Sequence, residues 1–225
     1  MSQIQQIQQF LRALSTHNSI QWMHEHEKEK KEAQAAFYEL IAYIQTMIFV
    51  FDPYIAITDA KNISFKLNRD TRFGKDSSPY HCMMRAHISS AGKLPIPVGY
   101  FIVVTTDSIM VGGGLFADQF KDATLLLRQY VSEHGDKLNQ IVKDPTFSRY
   151  FSIRGTKLKR VPKPYEETYP FAAYLCYKNM YIEYDIQEES DEAYHREIIT
   201  CCKAMKPFND YMNQALQKFV MPQRS

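Results

Sequence analysis

Between Lys66 and Arg85 the sequence gathers Arg69, Asp70, Arg72, Lys75, Tyr80, His81 and Arg85 around a single glycine, Gly74. Arginine presents a planar fork of donors that matches phosphate or carboxylate, and lysine adds a point charge. Gly74 permits a tight loop that brings side chains and backbone donors toward one point. These seven residues are therefore the candidate ligand-binding set, and three kinds of chemistry are open to them. The first is binding of an anionic ligand, a phosphate- or carboxylate-bearing small molecule or a phosphate-bearing polymer. The second is catalysis on a phosphoryl or acyl group, the cations stabilising charge while Asp70, Asp76 or His81 moves protons. The third is structural, with Arg69 and Arg72 pairing with Asp70 and Asp76 to hold a long loop against a sheet.

Other clusters carry less. Gly112, Gly113 and Gly114 lack the spacing of a dinucleotide fingerprint and the Lys-Ser/Thr that follows a phosphate-binding loop, so a bulge or close sheet packing is the expected role. His24 and His26 diverge on a helix, and no H-E-x-x-H is present. His81 and His87 share strand parity, but the sequence places no partner for either as a general base. Cys82, Cys176, Cys201 and Cys202 form neither a C-x-x-C pair nor a zinc spacing, so free thiols, no metal and no cofactor are expected. Trp22, at a helix start, reads as a core anchor.

The elements that position the cluster follow from periodicity. Ile4, Ile7, Leu11 and Leu14 mark an amphipathic first helix ending near His17 and Asn18. Ser19 caps a second that runs through Trp22, Phe37, Leu40, Ile41, Ile44 and Ile48 to Asp52 and Pro53. The period then changes to two. Ile63, Phe65 and Leu67 predict a strand, the basic loop follows, and Cys82, Met84, Ala86 and Ile88 predict its neighbour. The stretches 98–105 and 109–116 predict an antiparallel hairpin. Asp118 is expected to cap a helix that stops at Gly135, with shorter helices from Asp136 and from Asp144-Pro145. Met180 to Ile186 is the expected fifth strand, and Ser190 caps a last helix that Pro207 kinks or restarts. The fold class is α+β: a central, mostly antiparallel sheet of about five strands flanked by N-terminal and C-terminal helices.

Composition sets the frame. The 225 residues are 45% hydrophobic and 23% charged, with no Gly/Ser- or Pro-rich linker, so a single domain with a sizeable core is expected. A net charge of +2 is too small to suggest a general nucleic-acid or membrane binder. The charge is nevertheless uneven. Lys61, Lys66, Arg69, Arg72, Lys75, Arg85 and Lys93 face only Asp70 and Asp76 in their stretch. Arg154, Lys157, Lys159, Arg160 and Lys163 form a second basic run, which the acidic segment Glu183 to Glu197 is placed to balance. The opening MSQIQQIQQF has neither the basic nor the apolar region of a secretory signal, and no apolar run reaches the roughly 20 residues of a membrane span. A soluble, cytoplasmic protein with no membrane partner is the expectation.

The basic segment also resembles a known pattern, the R-x-x-R-D-x-R-F-x-x-x-K-x-x-Y signature of the bacterial domain of unknown function 2461 family. The likeness extends over nearly the whole chain, through Asn18 to Trp22, Gly99-Tyr100-Phe101, Gly112-Gly113-Gly114, Lys157-Leu158-Lys159-Arg160 and Pro207-Phe208. Lys66 stands where the signature has its first Arg, and Ser77 where it has Lys. If those cations hold a ligand in the family, the resemblance implies weaker binding here; it implies no established activity.

Overall fold

The structure, a computed structural model, describes residues 2–70, 77–116 and 120–222. Along the chain these form α1 (Gln3–Thr16), α2 (Ile20–Glu25), α3 (Glu27–Phe49), α4 (Ala60–Ile63), β1 (Met84–Ile88), β2 (Tyr100–Val104), β3 (Ile109–Gly114), α5 (Lys121–Lys143), α6 (Pro145–Ser148), α7 (Ala172–Leu175), β4 (Tyr181–Ile186) and α8 (Asp191–Ala215). The four strands make one antiparallel sheet in the order β1-β2-β3-β4, so the expected α+β class holds. The hairpin is present as β2 and β3, with the Thr105 N–H donating to the Ser108 carbonyl at 2.9 Å across its tip.

The chain divides into two compact units. The first comprises Met1–Lys93, Phe101–Val111 and Asp185–Thr200. In it α1 packs on α3, burying Ile4, Ile7, Leu11 and Leu14 on one helix and Phe37, Leu40, Ile41 and Ile44 on the other. The α1 start is doubly secured: Ser2 and Gln5 form a capping box, and the Asp191 carboxylate accepts the Gln3 N–H at 2.7 Å. Ser19 caps α2 as expected, through the Trp22 N–H at 3.2 Å. The expected single second helix is instead broken at His26, whose backbone leaves helical geometry between α2 and α3.

The second unit comprises Leu94–Tyr100, Gly112–Tyr184 and Cys201–Ser225. Here α5 is broken by non-helical backbone at His134, one residue before the expected stop at Gly135, and helix resumes to Lys143; a Cβ at Gly135 would collide with Tyr169 and Phe171. Glycine is there for space rather than for a left-handed cap. The expected cap Asp118 lies outside the described residues. Asp144 caps α6 through the Thr146 and Phe147 N–H groups. Pro207 lies inside α8, which runs on through it. The triglycine of β3 is explained at Gly113, where a side chain would enter the space filled by the amide of Asn209.

One expected strand is missing. Among the described residues the sheet has four strands, because the segment expected as Ile63 to Leu67 starts as α4, capped by Asp59, and continues as two separate bridges, Ser64 to Ala86 and Asn68 to Tyr80. The hydrogen bonds show why it is not continuous. The Phe65 N–H donates to Arg85 O at 2.8 Å, whereas the next rung joins His81 N–H to Leu67 O at 2.7 Å. Lys66 alone therefore faces Cys82, Met83 and Met84, a bulge of two extra residues that shifts the register and interrupts the ladder. The Ser64 carbonyl accepts from Lys93 Nζ at 3.3 Å.

Candidate functional site

The bulge shapes the candidate site. On its far side Arg69 N–H donates to Pro79 O at 2.9 Å, so Leu67 to Arg69 and Pro79 to His81 run as a short antiparallel pair. Arg72 and Lys75 lie outside the described residues, as does Asp76. Arg69, Tyr80, His81 and Arg85 are all described and half-buried, and Asp70 is exposed. The charges of Arg85 and Arg69 both act on His81, which brings these three together.

Arg85 lies on β1, where period two sets its side chain with His87 and opposite Met84, Ala86 and Ile88, which are buried. Its guanidinium stands 5.5 Å from the centroid of the Phe65 ring, and that ring meets Phe101 of β2 edge-on at 5.8 Å. His87, buried on the same strand, stands 6.2 Å from Phe101. Burial lowers the pKa of Arg85, a sign that its charge is poorly solvated. Among the described residues no carboxylate forms an ion pair with it, and the Phe65 ring is its aromatic contact. Burial first, then the charges of Arg85 and Arg69, hold the His81 imidazole below the usual 6.5. His81 is thus neutral at pH 7, with one ring nitrogen free to accept a proton or hydrogen bond.

A residue outside the candidate set positions it. Asn18, in the turn between α1 and α2, donates from Nδ2 to the Tyr80 carbonyl at 2.9 Å and accepts the Tyr80 N–H on Oδ1 at 3.2 Å. It also reaches Cys82 Sγ at 3.3 Å, so one side chain spans the start of the bulge. The signal for this was Asn18 just before the Ser19 cap, a polar residue at a helix junction with no local need for it. Trp22, expected as a core anchor, is instead half-buried, and stacks on His26 at 4.2 Å and on His17 at 5.9 Å.

Two members of the second basic run behave differently. Arg154 pairs with Glu183 at 2.7 Å, and Lys157 covers the Tyr177 ring at 4.3 Å. Arg128, from α5, donates to the carbonyls of Leu175 and Tyr177 at 3.0 and 3.2 Å. These cations are spent on their own neighbours. Among the described residues no cluster of three or more His, Cys, Asp or Glu could hold a metal, and no helix is long and apolar enough to cross a membrane.

No curated protein and no solved structure matches the chain. A family model does, over residues 6–211, which takes in most of α1, the bulged pair, the whole sheet and most of α8. The chain belongs to the family described as conserved hypothetical protein (DUF2461).

Proposed function

We propose that the protein binds an anionic, phosphate- or carboxylate-bearing ligand at the bulged pair, with Arg85 as the anchor, Arg69 and His81 beside it, and Tyr80 held at the rim by Asn18. The supporting observation is Arg85: a half-buried guanidinium, charge-disfavoured by its surroundings and without an acid partner among the described residues. A buried cation is costly unless an anion or hydrogen-bond acceptors compensate it, so a ligand that brings the missing negative charge gains both Coulomb energy and donors already in place. Asp70, Arg72 and Lys75 complete the proposed set, the basic side chains adding attraction.

A second reading is favoured by His81. A neutral imidazole beside two guanidinium groups is the arrangement in which a proton acceptor works next to an anion stabiliser, which suits transfer or hydrolysis of a phosphoryl or acyl group. Binding comes first in either case. We also read the chain as one domain, because β3 and β4 each run from one compact unit into the other without a linker. The cytoplasm is the compartment that suits its cysteines, all free thiols.

A thermal-shift screen against phosphate, sulfate, carboxylates, sugar phosphates, nucleotides and short nucleic acids tests the proposal. A specific ligand at 100 times its Kd raises stability by about 2.7 kcal/mol. Stabilisation by at least one class of anion, weakened by salt, is the expected result. A flat response to every anion argues for the cluster as a purely internal staple.

A further inference from the structure

Phe65 stands where a large apolar ring is not expected to face water. Its backbone is fixed by the bond from its N–H to Arg85 O at 2.8 Å, yet the residue is 36% exposed while Ile63, Ser64 and Leu67 around it are buried. Period two would have set Phe65 with Ile63 and Leu67; the break after α4 and the bulge opposite Lys66 turn it outward instead. Two sides of the ring are occupied by the protein, Arg85 at 5.5 Å from its centroid and Phe101 edge-on at 68°. The guanidinium thus stands over a ring that is partly open to solvent.

Building on the anion-binding reading, on which this step rests, we infer that the ligand is a phosphate monoester carrying a flat aromatic ring, of which a nucleoside 5′-monophosphate is the simplest form. The base stacks on the exposed part of Phe65, the phosphate meets Arg85, and the pentose joins the two. Inorganic phosphate uses only the cationic half and leaves the ring in water. Stacking of a base on an aromatic side chain is tolerant of base identity, so adenine and guanine are expected to behave alike.

The test is calorimetric titration of the full-length protein with inorganic phosphate, ribose 5-phosphate and adenosine 5′-monophosphate, repeated on Phe65→Leu, Phe65→Tyr and Arg85→Met. Adenosine monophosphate is expected to bind about tenfold more tightly than ribose 5-phosphate, a gain within the range of base–aromatic stacking. Phe65→Leu removes that gain, so that adenosine monophosphate and ribose 5-phosphate bind it alike, Phe65→Tyr keeps it, and Arg85→Met weakens all three ligands. Equal affinity for ribose 5-phosphate and adenosine monophosphate, both lost in Arg85→Met, overturns the aromatic requirement and leaves the anion site standing. A short single-stranded oligonucleotide that binds where the mononucleotide does not overturns the mononucleotide assignment. Absence of binding by all of these ligands overturns the anion-binding reading itself.

Discussion

Asn18 and Tyr80 are joined by two hydrogen bonds that imitate a rung of a β-ladder, the side-chain amide of one standing in for the backbone of the other at 2.9 and 3.2 Å. The turn after α1 therefore fixes the outer edge of the segment that carries Tyr80 and His81, whose other edge pairs with Leu67 to Arg69. Asn18→Ala is expected to destabilise the protein by about 1–2 kcal/mol, the net worth of two such bonds. It should also speed amide exchange at Tyr80 and His81. Asn18→Asp keeps the acceptor for Tyr80 N–H but sets a carboxylate against the Tyr80 carbonyl, so it should restore little. Urea denaturation with exchange-detected NMR measures both effects. An unchanged stability in Asn18→Ala would remove this residue from the account.

The His81 imidazole gives a pH signature. Its pKa is lower in the folded protein than the usual 6.5, so the unfolded chain binds the proton more readily in the interval below that value. Stability from this residue is complete above 6.5 and declines as pH falls through the interval down to the folded value. His81→Gln should flatten that part of the stability profile. An anion seated beside Arg85 offsets the charge that depresses His81, so phosphate should move its NMR titration midpoint upward. A midpoint at or above 6.5 without ligand contradicts the placement of His81 beside Arg85 and Arg69.

Gly113 and Asn209 make a second close pair. Asn209 is 2% exposed, donates to the Gly99 carbonyl at 3.0 Å, and its Oδ1 fills the space a side chain at Gly113 would take. Overpacking of this kind destabilises by about 1–3 kcal/mol, and Gly113→Ala should fall in that range. Asn209→Ala is destabilising alone because the Gly99 carbonyl loses its donor, but combined with Gly113→Ala it should be less harmful than the two effects added. Strict additivity in the double-mutant cycle would refute the clash.

The cysteines should separate by reactivity. Cys201 and Cys202 are buried in α8, and burial with its neighbour Cys201 pushes the Cys202 thiol well up, so the nucleophilic thiolate is scarce. Cys82 and Cys176 are half-buried. Alkylation of the native protein, followed by mass spectrometry, should label Cys82 and Cys176 first and the α8 pair only on unfolding. Early modification of Cys202 would contradict its environment.

How far the sequence could be read depended on how local each signal was. The α1 stripe, the Ser19 and Asp144 caps and the hairpin around Thr105 to Ser108 all depend on residues within a few positions of one another, and each is found where expected. The strand at Ile63 to Leu67 was misread because three alternating apolar residues are also compatible with one turn of helix followed by an irregular bridge. Whether the ladder continued was decided by the three residues opposite Lys66, which no local pattern marks. The break at His134 lies beside the expected helix end at Gly135, while the crowding of Gly135 by Tyr169 and Phe171 comes from a distant part of the chain. In the candidate set, residue types single out Arg69, Tyr80, His81 and Arg85; the contacts of Asn18 with Tyr80 and of Phe65 with Arg85 are tertiary and are not encoded in spacing.

The central claim is that Arg85 is an anion anchor rather than a structural staple, and phosphate titration of the native protein and of Arg85→Met by NMR tests it most directly. Methionine keeps much of the apolar stem that packs near Phe65, so the melting temperature should change little. The account predicts saturable shifts centred on Arg69, His81 and Arg85 in the native protein, and their loss in the variant. Binding of equal strength in Arg85→Met, or a variant that loses most of its stability, would contradict it.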